Sequence, residues 1–170
     1  SDDDEILSVA EEYSADTLRR PMELASDSST SFDAIRHAIE SSEQHYDYLV
    51  LLQPTSPLRD KNHINAAIEL LEQKKADAVI SVCEMEHSPL WANTIPKNGA
   101  MDNFLRHGLR NKRSQDLPKH YRLNGAIYIC RIDRLLEEGT FFITDNIFSY
   151  IMDTEKSIDI DSNSDFMFAK

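Results

Sequence analysis

The stretch at residues 48–59, YLVLLQPTSPLR, constrains the fold more than any other part of the chain. Tyr48, Leu49, Val50, Leu51 and Leu52 form a continuous apolar run, the pattern of a strand buried on both faces. Pro54 and Pro57 end that run, because neither ring can donate to a strand ladder and both stiffen the loop. Asp60 then offers an N-cap to a helix whose apolar positions Ile64, Ala67, Ile68 and Leu71 fall at i, i+3, i+4 and i+7. A strand, a rigid polar loop and an amphipathic helix make the βα half of a parallel α/β unit. Ligands of open α/β sheets bind beyond the carboxyl ends of the strands. Gln53 stands at such an end, with an amide that can both donate and accept.

A chain of 170 residues is expected to form one domain with a sizeable core. Its formal charge of -12 argues against a nucleic-acid groove or an anionic membrane surface as partner. No apolar run approaches the length of a membrane span, and the acidic start is unlike a signal peptide. Cys83 and Cys130 lie in strand-like runs and read as buried thiols, which suits a reducing cytoplasm; a disulfide is the alternative. Glycine is scarce, with 4 in the chain against a usual share of about 7%. No GxG or phosphate-loop pattern is present.

Near the N-terminus, Ile6, Leu7, Ala10 and Tyr13 share a helical face, and the acidic run before them offsets the helix dipole. Metal binding is the alternative reading of that run. Residues 14–16 make a polar exit turn, and residues 17–21 read as a short edge segment. Residues 28–31 with Asp33 offer a capped start to a helix with Phe32, Ile35, Ala38 and Ile39 inward. Residues 78–83 form a second apolar strand. Residues 84–121 then lose all period: they hold three prolines, Trp91 and a basic island of Lys97, Arg106, Arg110, Lys112, Arg113 and Lys119. A solvated excursion explains them, but an acidic protein acting on anions must also gather its cations somewhere.

The sheet resumes at residues 122–130, RLNGAIYIC, where Gly125 allows close approach of the backbone to a ligand. Tyr128 alone reads as core, as do Phe141 and Phe142. Leu135 and Leu136 lie on a short helix ended near Gly139. In SIDID, residues 157–161, a strand would turn Ile158 and Ile160 to the core and project Asp159 and Asp161 together. Two carboxylates so close repel, and a divalent cation relieves that cost. An edge strand with a solvated acidic face is the other reading. Asp165 reads as a cap for the final helix.

LLQPTSPLR, the Arg20-Pro21 pair before ELASD (residues 23–27), MEHSP (85–89), NGAIY (124–128) and SIDID recur together, in order, in one family. From residue 1 to near its C-terminus the chain resembles the acylneuraminate cytidylyltransferases, the CMP-sialic acid synthetases. The resemblance implies a nucleotidyltransferase fold, Rossmann-like and GT-A-like, with an extended dimerisation arm at residues 86–121 exchanged between subunits of a homodimer. It implies nucleotide contacts at Arg20 and Ser31, and at Ser29 mainly through its backbone. It places Gln53, Asn124, Tyr128 and the Phe141-Phe142 pair around the sugar, the two rings against its acyl group. Arg113 would be lent to the partner's site for the substrate carboxylate. Trp91 departs from the family, some of whose members carry a lysine there. The resemblance further implies that the chain begins just after a strand and phosphate-binding loop, so about 50 residues are expected ahead of it on the usual size of a βαβ unit.

These readings combine into a single three-layer α/β domain over residues 1–170, with a mostly parallel sheet. The expected reaction joins CTP to a nine-carbon acidic sugar, N-acetylneuraminate, giving the CMP-sugar and pyrophosphate. Asp159 and Asp161 would hold magnesium, or manganese, and Arg122 would balance phosphate or carboxylate charge in catalysis. Legionaminic or pseudaminic acid are the alternative sugars. A non-catalytic nucleotide-sugar-binding fragment is the alternative from another class.

Overall fold

The protein is described by a computed structural model, which covers residues 1–26 and 29–170. Ser28, expected among the caps of the second helix, and Asp27 of the ELASD motif lie outside the described residues. Four strands form one sheet: β1 (Tyr48–Leu51), β2 (Ala78–Glu84), β3 (Tyr121–Arg131) and β4 (Ile147–Met152), in the order β1-β3-β2-β4. β3 runs antiparallel to both β1 and β2, and β4 is parallel to β2, so three strands share one direction and β3 opposes them. Three of the four strands run the same way, but two of the three ladders are antiparallel, so the sheet is mixed where a mostly parallel one was expected. The reversed central strand had no signal in the sequence.

Side-chain alternation divides the core into two layers. On one face, helix α3 (Lys61–Lys74) lays Ala67 and Leu71 against Val79, Ile127, Ile129 and Met152. On the other, Ile35 of α2 (Ser31–Glu40) and Leu135 of α4 (Ile132–Glu138) close over Ala78 and Cys130, with Leu49 and Leu51 beside them. Each large apolar side chain buried this way contributes roughly 1.5–3 kcal/mol, so the centre of the sheet carries the fold. The two cysteines are free and buried, and burial pushes the Cys130 thiol up to about 11.

The caps follow the sequence closely. Asp60 caps α3 by accepting from the Asn62 and His63 amides. Thr30, within the predicted cluster, caps α2 in a capping box with Asp33. Asp165 completes a second box with Ser162 at the start of α5 (Asn163–Phe168). Gly139, at φ +67, ends α4.

Three further expectations need correction. β1 is an edge strand and is not buried on both faces: it has β3 as its only neighbour, and Tyr48 and Val50 are 42% and 38% exposed. Residues 17–21 are extended but join no sheet; their bonds go to Ser1, which donates its amino group to the Leu18 carbonyl and accepts the Arg20 N–H. Residues 157–160 form no strand either. Their Ile160 N–H donates to the Thr55 carbonyl at 2.8 Å, which ties them to a loop instead of a strand ladder.

Helix α1 (Asp4–Glu12) buries no residue, although Ile6 and Tyr13 share a face. Residues 85–120 leave the sheet between β2 and β3, with only two single helical turns. The Met85 amide donates to the His120 carbonyl and Lys119 pairs with Glu84, closing the base of this excursion.

Candidate active site

The site is built where β3 breaks its register. Ile80 pairs with Tyr128 and Val82 with Leu123, so Ser81 alone stands opposite residues 124–127. Extra residues on one strand make a bulge, which bends the strand and leaves backbone groups in need of partners. Ser81 supplies them: its hydroxyl accepts the Ile127 N–H at 2.8 Å and donates to Asn124 Oδ1 at 2.6 Å. Gly125 takes φ +71 at this point, a conformation glycine adopts without steric cost.

The absent side chain of Gly125 leaves room for others. A Cβ there would stand 2.6 Å from Gln53 Oε1, 2.8 Å from Ser56 Oγ and 3.5 Å from Asp159 Oδ2. Gln53, Ser56 and Asp159 thus converge over one glycine, from a loop after β1 and from the connection after β4. Ser56 is fully buried and donates to the Asn124 carbonyl at 2.9 Å. Arg59 folds back over the same loop, donating to the carbonyls of Gln53 and Ser56, each at 2.6 Å. Its partial burial lowers its pKa from the ordinary value by desolvation. Bonds from a cation to carbonyls are worth about 1.5–3 kcal/mol where they are sheltered. Arg59→Met is therefore expected to cost roughly 1–3 kcal/mol, measured by urea unfolding, and to loosen the loop without unfolding the sheet.

Two cavities meet at Gln53. One, of about 310 Å³, is lined by Ser31, Gln53, Tyr128, Phe141 and Phe142 among others. The second, of about 440 Å³, is lined by Arg20, Ser31, Gln53 and Pro54 with apolar residues of α2 and β1. Ser31, Ile35, Leu51 and Gln53 belong to both. Tyr128 and Phe141 pack with ring centroids 5.5 Å apart. Burial, and secondarily the charge of Asp159, raises the Tyr128 pKa above its ordinary value. The aspartate, the tyrosine and the two cavities therefore form one neighbourhood. A larger cavity, of about 510 Å³, runs along the outer edge of β1 and the end of α2. It opens toward the amino end of β1, away from the side where α/β sheets bind ligands.

The remaining sequence candidates are distributed as follows. Arg20 lines the larger of the two meeting cavities and pairs with Asp2, whose pKa it lowers. Ser29 lines neither cavity; its hydroxyl donates to the Glu23 carbonyl. Arg122 is exposed and donates to the Ser157 carbonyl at 3.0 Å. Arg113 lies on the excursion, paired with Asp116 and 76% exposed, and lines neither cavity. Asn124, expected beside the ligand, lines neither cavity. Asn124 is fully buried, and its amide is consumed by Ser81, Ser157, Met152 and the Ala126 N–H.

Asp159 Oδ1 is buried without a hydrogen-bond partner. Asp161 is exposed, and its N–H donates to Asp165. Among the described residues no group of three or more Asp, Glu, His or Cys side chains is gathered for a metal. An orphaned carboxylate oxygen, with a second aspartate two residues along the chain, fits magnesium, which is commonly held by one or two carboxylates and completes its shell with water and phosphate. It does not fit an all-protein cage. Residues absent from the sequence candidates, Ser56, Arg59, Ser81 and Ser157, hold the site together. A serine inside the apolar run AVISVC was the available signal for Ser81.

A sheet in this order, with one reversed strand and clefts at its carboxyl edge, is a nucleotidyltransferase-type α/β domain. The fold matches that of 4-diphosphocytidyl-2C-methyl-D-erythritol synthase from Anaerococcus prevotii, with TM-score 0.61, 13% identity, and coverage of 99% of this chain and 75% of that one. The cytidylyltransferase family model matches residues 1–138. An N-acylneuraminate cytidylyltransferase of Escherichia coli is 36% identical over 99% of this chain and 40% of its own length. One from Streptococcus agalactiae is 35% identical over 88% of this chain and 35% of its own. A pseudaminic acid cytidylyltransferase of Campylobacter jejuni is 32% identical over the whole chain and 74% of its own length. The chain belongs to the cytidylyltransferase family. It spans less than half the length of the Escherichia coli and Streptococcus agalactiae relatives.

Proposed function

We propose that the protein carrying this chain transfers CMP from CTP to the anomeric oxygen of N-acetylneuraminate, giving CMP-sialic acid and pyrophosphate. The observation that carries the reading is the meeting of two cavities at Gln53, one with Arg20 and Ser31, the other with Tyr128 and the paired phenylalanines, beside Asp159. Relatives at 35–36% identity named for N-acylneuraminate support a sialic acid as the sugar, while relatives at 32% and 28% are named for pseudaminic and diacetyllegionaminic acids.

In this reading the larger cavity takes the nucleotide, with Arg20 and Ser31 at the base and ribose. The smaller takes the sugar. Gln53 and Tyr128 orient it through their amide and phenol, and Phe141 and Phe142 lie against its acyl group, where aromatic area rewards an apolar substituent. The anomeric oxygen then bonds to the α-phosphorus as the bond from that phosphorus to the β-bridging oxygen breaks. Pyrophosphate leaves on the opposite side, and the anomeric proton passes to solvent. Holding the two reactants in line removes much of the entropic barrier. Asp159 and Asp161 would hold magnesium, which when bound neutralises phosphate charge. Arg122 adds a cation near the same segment. The excursion at residues 86–121 would pair with that of a second copy in a homodimer and lend Arg113 to the sugar carboxylate.

The test is pyrophosphate release by the full-length protein with CTP and each of three sugars. N-acetylneuraminate is expected to give a kcat/KM at least tenfold above pseudaminate and diacetyllegionaminate, a margin of about 1.4 kcal/mol in the transition state. Release with none of them would overturn the reading, and preference for another sugar would replace the substrate.

A further inference from the structure

Four polar side chains are fully enclosed among the described residues: Ser56, Ser81, Asn124 and Ser157. All four belong to one network centred on Asn124. Ser81 Oγ donates to Asn124 Oδ1, Asn124 Nδ2 donates to Ser157 Oγ at 2.9 Å, and Ser56 Oγ donates to the Asn124 carbonyl. Ser157 Oγ in turn donates to the Asp153 carbonyl at 2.8 Å. Every donor and acceptor of the Asn124 amide is used, so the network is satisfied and rigid.

The network's ends matter more than its centre. Ser56 is in the loop that begins with Gln53. Ser157 begins the segment that carries Asp159 and Asp161, and that segment belongs to no strand. Beyond Ser157, the segment is tied to the same loop by the Ile160 N–H on the Thr55 carbonyl. Asp159 itself makes no bond through Oδ1 that could fix it. Its place over Gly125 must therefore be set by what holds the backbone on either side.

We propose that Ser157, acting through Asn124 and Ser81, is a positioning residue that fixes the Asp159 segment against the Gln53 loop. Asn124 is on this account a positioning residue too, since its side chain has no free group for a ligand. The β3 bulge then has a use: it brings Asn124 inward, where one amide reaches both β2 and the segment after β4. The metal part of the proposal rests on the reading of Asp159 given above; the positioning part does not.

Ser157→Ala separates the two. Loss of the two buried bonds of the Ser157 hydroxyl is expected to speed hydrogen exchange of the Ile160 amide about tenfold or more. In the full-length protein, half-saturation by Mn²⁺, followed by electron paramagnetic resonance, is expected to rise about tenfold as well. Ile129→Val, a mild loss in the same core, is the control for general destabilisation and should leave both within about twofold. Should Ser157→Ala fail to fold, Ser81→Ala cuts the network at its other end and is expected to move both readouts the same way. An Ile160 amide that exchanges at the parent rate in Ser157→Ala would overturn the proposal, as would equal acceleration in Ile129→Val. Faster exchange in a protein whose parent binds no Mn²⁺ would support the positioning and sink the metal reading alone.

Discussion

Replacing Gly125 by alanine is expected to lower the melting temperature by roughly 4–20 °C and to cut turnover about a hundredfold. The stability loss has two sources. At φ +71 the backbone is left-handed, which costs a residue with a Cβ about 1–2 kcal/mol. The new methyl also meets Gln53 Oε1 at 2.6 Å and Ser56 Oγ at 2.8 Å. The glutamine amide is the end of a flexible side chain and can retreat. The serine hydroxyl cannot, because Ser56 is enclosed and bonded to the Asn124 carbonyl. Overpacking a site of that kind costs about 1–3 kcal/mol. The two together give about 2–5 kcal/mol, at roughly 2–4 °C per kcal/mol for a domain of this size.

The functional loss follows from which atom gives way. If Gln53 swings out to make room, it leaves the point where both cavities meet, and in the proposed reaction the sugar then loses its orienting amide. A displacement of about 1 Å in a positioning group commonly costs on the order of a hundredfold in rate. Calorimetry and steady-state pyrophosphate release on the same preparation would measure both effects. Unchanged turnover with the fall in melting temperature intact would detach Gln53 from the chemistry.

Gly125 also shows what could be read from the sequence and what could not. Its sequence context suggests room for a ligand at a strand entrance, whereas in the structure it lies inside β3. What approaches is Gln53, Ser56 and Asp159 of the same chain, brought there by a bulge whose partner strand lies more than forty residues earlier. Helix α3 was legible because its cap and its apolar positions are local: Asp60 bonds two amides of its own first turn. β1 was misjudged because a continuous apolar run says only that side chains prefer burial, not how many neighbours the strand has. SIDID alternates as a strand should, yet strandhood depends on a ladder partner, and Ile160 spends its N–H on Thr55 instead. The paired aspartates, Tyr128 and the phenylalanines are candidates that motif alone nominates. The serines that hold them are not, because a buried serine in an apolar strand looks like a weak core residue until its partners are known.

Asp159→Asn is expected to abolish turnover, by about a thousandfold or more, while the metal-free protein melts no lower than the parent and by about 2–4 °C higher. The combination follows from one observation: Asp159 Oδ1 is buried with no partner. A sheltered oxygen that gives up water without receiving a hydrogen bond costs about 1–3 kcal/mol, more when it carries charge. An amide of the same shape removes the charge and relieves part of that cost, so the folded state gains. The same change removes the feature that suits a cation. In the parent, added Mg²⁺ should raise the melting temperature, since a ligand bound only by the folded state stabilises it by RT ln(1 + [L]/Kd), about 2.7 kcal/mol at a hundred times Kd. In Asp159→Asn that increment should vanish. Asp161 is exposed and its N–H is already bonded to Asp165, so Asp161→Asn is expected to weaken the Mg²⁺ increment without the gain in the metal-free protein. A buried carboxylate oxygen left without a hydrogen-bond partner is what a cation-binding group looks like before its ion arrives. If Asp159→Asn instead melts lower than the parent without metal, the buried oxygen is serving the fold, and the cation must be sought elsewhere.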